Sequence, residues 1–184
     1  VSSQSGSEIL QWMTSRGFSA MTMEDTEAAW NFCPDGVCMF IDANSISNSK
    51  ALFVHEATHI DQASIAGRNM PRYMWGNQRI QKNLNLAFRS IQEGYAEAKA
   101  VEKEGHTVGS GYYANYRAFY KNADTVGDSH FVSARLGDWG AFCEFIDTYK
   151  QQKQLSLSQL LNNANWAVGG DETDNFTVDE CKSL

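Results

Sequence analysis

The segment from about Ser49 to Ala66 constrains the fold more than any other part of the chain. A polar, cap-rich break (Asn44 to Ser49) precedes it and Gly67 follows it, the punctuation of a helix. Phe53, Ala57 and Ile60 lie on one side beside Val54, and Ala51, Leu52 and Ala63 flank the other. A helix that is apolar nearly all round is a buried helix. This one also carries His55, Glu56 and His59. Buried polar groups left unpaired cost roughly 1–3 kcal/mol each, so these three need partners. A metal ion is one such partner. Residues four apart share a helix face, so both imidazoles can reach one tetrahedral ion. Glu56, next to His55, points toward the same cleft, where it can take a proton from water and deliver it to a leaving amine. The competing reading is two core histidines satisfied by backbone groups, with Glu56 at the surface.

A catalytic ion of this kind needs a third protein ligand and an open position. The next long helix, about Asn77 to Lys103, carries Glu93-Gly94-Tyr95-Ala96-Glu97 at its middle. Glu93 and Glu97 share a face. Gly94 costs helix propensity, and its place beside a carboxylate suggests close approach to the His-bearing helix. A solvated acidic face is the alternative, since Glu102, Lys103 and Glu104 continue the charge. His106 and His130 are other candidates for the third ligand. Asp61, two residues after His59, faces elsewhere on the helix.

The pairing of His55-Glu56-x-x-His59 with Glu93-x-x-Ala96-Glu97 resembles the gluzincin branch of zinc metallopeptidases. The likeness covers roughly residues 37–101. It implies that His55, His59 and Glu93 bind Zn2+ and that Glu97 orients the first histidine. It implies Glu56 as general base. Glu97 stands where the family usually has Asp, which leaves Glu93 and Glu97 both open as the ligand. In larger members a His and an Arg follow the ligand helix. By that likeness His130 is the oxyanion donor and Arg135 a substrate contact. Tyr112 opens a cluster with Tyr113, Tyr116 and Tyr120 that is a further candidate for contact with substrate. His-Glu-Ala-Thr-His-Ile-Asp-Gln also resembles the short motif of metallopeptidase domains in bacterial toxins and effectors. The fold expected is α+β and mostly helical, a single zincin-like domain over residues 1–184 with the two site helices beside a small β element.

Composition sets the surroundings. In 184 residues, 42% are hydrophobic and 20% charged, enough apolar material for a packed core and too little charge for general disorder. The net charge of -7 with no basic stripe argues against a nucleic-acid partner. No apolar run approaches the ~18–20 residues of a membrane span. Cys33-Pro34-Asp35-Gly36-Val37-Cys38 places a turn between two cysteines and favours a Cys33–Cys38 bridge. Cys143–Cys181 then ties the C-terminal tail to the body. Disulfides point to an exported protein, secreted or periplasmic, in a mature form since no signal peptide is legible.

Short strands are expected over Phe18–Met23 and Val37–Asp42, and helices over Glu8–Arg16, Tyr112–Lys121, Asp138–Lys150 and Ser156–Trp166. The tail from Gly169 reads as irregular. The function expected is hydrolysis of peptide bonds in a peptide or protein substrate by a zinc-activated water. Alternatives are an amidase acting on peptidoglycan cross-links and a non-catalytic, zinc-stabilised binding module. An inhibitor or immunity protein is the partner expected for the binding module.

Overall fold

A computed structural model describes the backbone of residues 19–21, 28–33, 36–41, 50–66, 79–108, 111–169 and 176–184, and the side chains of 50–62, 82–108, 111–169 and 176–184. The helix expected over Glu8–Arg16 and the Cys33–Cys38 bridge lie outside the described residues and side chains. Three short strands, β1 (Ser19–Met21), β2 (Ala28–Cys33) and β3 (Gly36–Ile41), form a sheet in the order β1-β3-β2. β2 and β3 run antiparallel with Cys33 opposite Gly36, and β1 runs parallel to β3.

Seven helices follow among the described residues: α1 (Lys50–Ala66), α2 (Arg79–Glu104), α3 (Tyr113–Asp124), α4 (Ser129–Ala134), α5 (Trp139–Lys153), α6 (Leu157–Asn162) and α7 (Val178–Ser183). Contacts divide the chain into two units, residues 1–60 with 99–108 and residues 61–98 with 109–184. The first holds the three strands, most of α1 and the end of α2.

The second unit contains the apolar core. Leu84, Ala87, Phe88 and Ile91 form the buried stripe of α2, and Phe119, Phe131, Phe142, Phe145, Ile146, Leu157 and Leu160 complete it from the helices downstream. Every side chain of this core lies on a helix or a helix connection. The zincin-like α+β frame expected from the motif is therefore corrected: the described side chains pack as a mostly helical assembly, and no zincin fold is formed by them. The physical reason is that periodic apolar faces on successive helices bury one another, leaving no role in this core for a sheet.

Helix starts follow side-chain chemistry. Asp128 caps α4, and Asp138 caps α5 by accepting from the Ala141 amide. Ser156 with Gln159, and Thr177 with Glu180, form capping boxes at α6 and α7. The tail is thus helical over Val178–Ser183 where an irregular chain is expected. The expected disulfide between Cys143 and Cys181 pins it, with both cysteines fully buried. The Trp139 Nε1 donates to the Cys181 carbonyl at 2.9 Å and reinforces the same junction. The helix expected to reach Trp166 stops at Asn162, because Asn165 and Ala167 take left-handed backbone on either side of the tryptophan.

Candidate metal centre

Among its described side chains, helix α1 carries five buried polar residues: His55, Glu56, Thr58, His59 and Gln62. Thr58 donates its hydroxyl to the Val54 carbonyl one turn back at 2.8 Å. Gln62 Nε2 donates to two carbonyls, Gln92 at 3.2 Å and Arg135 at 2.8 Å. The amide thereby fixes the end of α1 against the α2 turn that carries Glu93 and against the end of α4.

His55 and His59 point their Nε2 atoms at one another, 3.1 Å apart, with the rings nearly perpendicular. Ligand atoms of His55, His59 and Glu93 all lie within 4.8 Å of one another, and this group can hold a metal ion. Bonds of about 2.0–2.1 Å at a tetrahedral angle place ligand atoms about 3.3–3.4 Å apart. The histidine pair already has nearly that separation. The Glu93 side chain is the least buried of the three, at 13% exposure. Arg89 approaches it from one turn earlier, with Nε 3.5 Å from Glu93 Oε1.

Glu56, the residue after His55, is buried at 6% exposure. Glu97, also buried, accepts a 2.7 Å hydrogen bond from Arg117 Nη1 on α3. Arg117 has no sequence pattern to mark it, since its partner is 20 positions away; the only hint is that a buried carboxylate needs a cation or donors. The close approach recorded at Gly94 is that of α3. A Cβ there would lie 2.2 Å from Tyr120 Cβ and 2.8 Å from the Tyr116 carbonyl oxygen, so the missing side chain permits the approach of α3 to α2.

His130 sits in the first turn of α4, its ring half exposed and its Nδ1 3.2 Å from Asp128 Oδ1. Arg135 stacks over the Tyr95 ring at 4.9 Å. Burial pushes the Tyr120 hydroxyl up, while its hydrogen bond to Arg135 and that charge act the other way. Tyr112 is 56% exposed, stacked on Tyr113 and edge-on to Tyr116. His106, weighed as a ligand, is exposed and faces the Glu104 carbonyl. Among the described residues no helix is long and apolar enough to cross a membrane. Comparison with protein-family models, with curated proteins and with solved structures gave no match.

Proposed function

We propose that this chain is a zinc-dependent hydrolase of peptide bonds. The reading is supported above all by one observation: ligand atoms of His55, His59 and Glu93 all lie within 4.8 Å of one another, and Glu56, the residue after His55, is buried. Two nitrogen donors and one oxygen donor suit Zn2+. Structural zinc sites are closed by four protein ligands, whereas three ligands among the described residues leave room for water. When bound, the ion acts as a Lewis acid, acidifying a water and polarising the scissile carbonyl.

The protein's own groups do the rest. His55 and His59 hold the ion through neutral nitrogens, and Glu93 contributes one negative charge. Glu56 takes one proton from the water as its oxygen attacks the carbonyl carbon. It passes that proton to the amide nitrogen as the C–N bond breaks, so the products are a carboxylic acid and an amine. The scaffold contributes rigidity through the Gln62 amide, which locks the α1 turn after His59.

Glu56→Gln tests the mechanism. The variant is expected to retain stoichiometric zinc while hydrolysis of a peptide library falls by at least a hundredfold. Unchanged turnover refutes Glu56 as the base. Zinc content unaffected by His55→Ala and His59→Ala refutes the metal centre itself. Zinc retention with no hydrolysis by the unaltered protein favours the binding module instead.

A further inference from the structure

We propose that Arg89, framed by Tyr112, Tyr113 and Tyr116, forms a subsite that receives a carboxylate of the substrate next to the ligand Glu93; this deepens the hydrolase reading and rests on it. Arg89 lies one helical turn before Glu93 on α2, and its side chain is 45% exposed. Its approach to Glu93 is the only ion pair it makes among the described residues. At 3.5 Å through Nε, that contact is longer than the about 2.7–2.9 Å of a charge-assisted bond. The Nη edge of a planar guanidinium fork matches a carboxylate with two parallel bonds.

The aromatic frame orients the fork. The guanidinium carbon lies 5.8 Å from the Tyr116 ring centre, and Tyr116 is buried. Tyr112 and Tyr113 stack on one another at 5.1 Å, and both meet Tyr116 edge-on at 5.8 and 5.5 Å. Trp166 packs on Tyr116 at 4.8 Å, on a segment whose backbone is left-handed at Asn165 and Ala167. Left-handed backbone at non-glycine residues is costly and persists where surroundings enforce it. The result is a rigid aromatic wall with an exposed tyrosine at its rim, next to a cation in a chain of net charge -7. Neutral or cationic substrates find no counterpart for that arginine.

The carboxylate has two sources, the α-carboxylate of a peptide C-terminus or an acidic side chain near the scissile bond. The test uses Glu56→Gln protein, so that binding is read without turnover, with and without added zinc. Three N-acetylated peptides of one sequence are compared by calorimetry: the free acid, the C-terminal amide, and the amide with one residue replaced by Glu. At least one acidic peptide is expected to bind tenfold or more tightly than the neutral amide. Arg89→Ala and Arg89→Gln should both erase that preference while leaving zinc content unchanged. Preference for the free acid assigns the α-carboxylate, and preference for the Glu peptide assigns a side chain. Equal binding of all three peptides overturns the proposal, as does a preference that survives in both Arg89 variants. Absence of bound zinc would instead remove the hydrolase reading, leaving the carboxylate discrimination measurable on the metal-free protein.

Discussion

Gly94→Ala is expected to destabilise the protein, although the same change in an ordinary helix interior stabilises it by about 1 kcal/mol. The new Cβ would lie 2.2 Å from Tyr120 Cβ and 2.8 Å from the Tyr116 carbonyl oxygen. Carbon atoms in contact prefer about 3.5–4.0 Å, so α2 and α3 must separate by well over 1 Å. Neither obstacle is the end of a flexible side chain. One is the first side-chain atom of Tyr120 and the other is backbone, so no change of rotamer relieves the overlap. Overpacking typically costs about 1–3 kcal/mol and more where the backbone must move. Taking about 3 kcal/mol or more and subtracting the propensity gain leaves a net loss of roughly 2 kcal/mol or more. For a chain of this size that lowers Tm by about 4–8 °C.

The measurement is urea unfolding followed by circular dichroism, with Gly140→Ala as the internal control. Gly140 also lies in a helix, but its added Cβ would have only the Asp138 carboxylate near, at 3.4 Å. The control should be neutral or slightly stabilising. Because Glu93 immediately precedes Gly94, separation of α2 from α3 should weaken zinc binding in parallel with stability. A Gly94→Ala protein as stable as the parent would refute the close approach of these helices.

Two further outcomes concern stability alone. Cys143 and Cys181 are 38 positions apart, and loop-closure entropy assigns such a bridge about 4 kcal/mol; urea midpoints of the Cys143→Ala/Cys181→Ala variant should fall accordingly, and a loss under about 1 kcal/mol would show that the bridge adds little to an already docked tail. Burial pushes the hydroxyls of Tyr116 and Tyr149 up to about 12, from an ordinary value near 10. Above pH 10 the unfolded chain releases these protons while the folded chain keeps them, so stability should hold to about pH 9.5 and fall by a few kcal/mol toward pH 12. Thermal melts across that range check the sign, and Tyr149→Phe should flatten the decline; stability rising with pH would contradict it.

Local chemistry was legible in the sequence, and distant pairing was not. The i,i+4 spacing of His55 and His59 and the apolar surround of α1 identify a buried polar helix, because both depend only on helical geometry. The Thr177-x-x-Glu180 capping box was also on view, but six residues with Cys181 as the one fully buried member gave α7 no periodicity. The partner of Gly94 could not be read, since a glycine marks a close approach without naming what approaches. The Glu97–Arg117 pair and the Gln62 bridge to the Arg135 carbonyl depend on helices meeting across 20 and 73 positions. The zincin-like expectation erred by extending a site to a whole fold, although similar sites occur on unrelated scaffolds.

The geometry of the histidine pair narrows what α1 is built to hold. Two Nε2 atoms 3.1 Å apart can share one proton, but two imidazolium N–H groups cannot face each other at that distance. A shared cation supports the arrangement by giving both lone pairs one acceptor. A lysine ammonium would also attract Glu93 and can donate hydrogen bonds to imidazole nitrogens, but it offers separate N–H groups and not one acceptor for both lone pairs. A divalent metal ion does both, and it balances a nearby carboxylate without demanding hydrogen atoms between closely spaced nitrogens. The polar groups around the pair divide along the same line. Thr58 and Gln62 spend their hydrogen-bonding capacity on carbonyls that fix the helix, whereas His55, His59 and Glu93 gather their ligand atoms around one point. On α1 the two tasks fall to different side chains, as the preorganisation of a metal site would need.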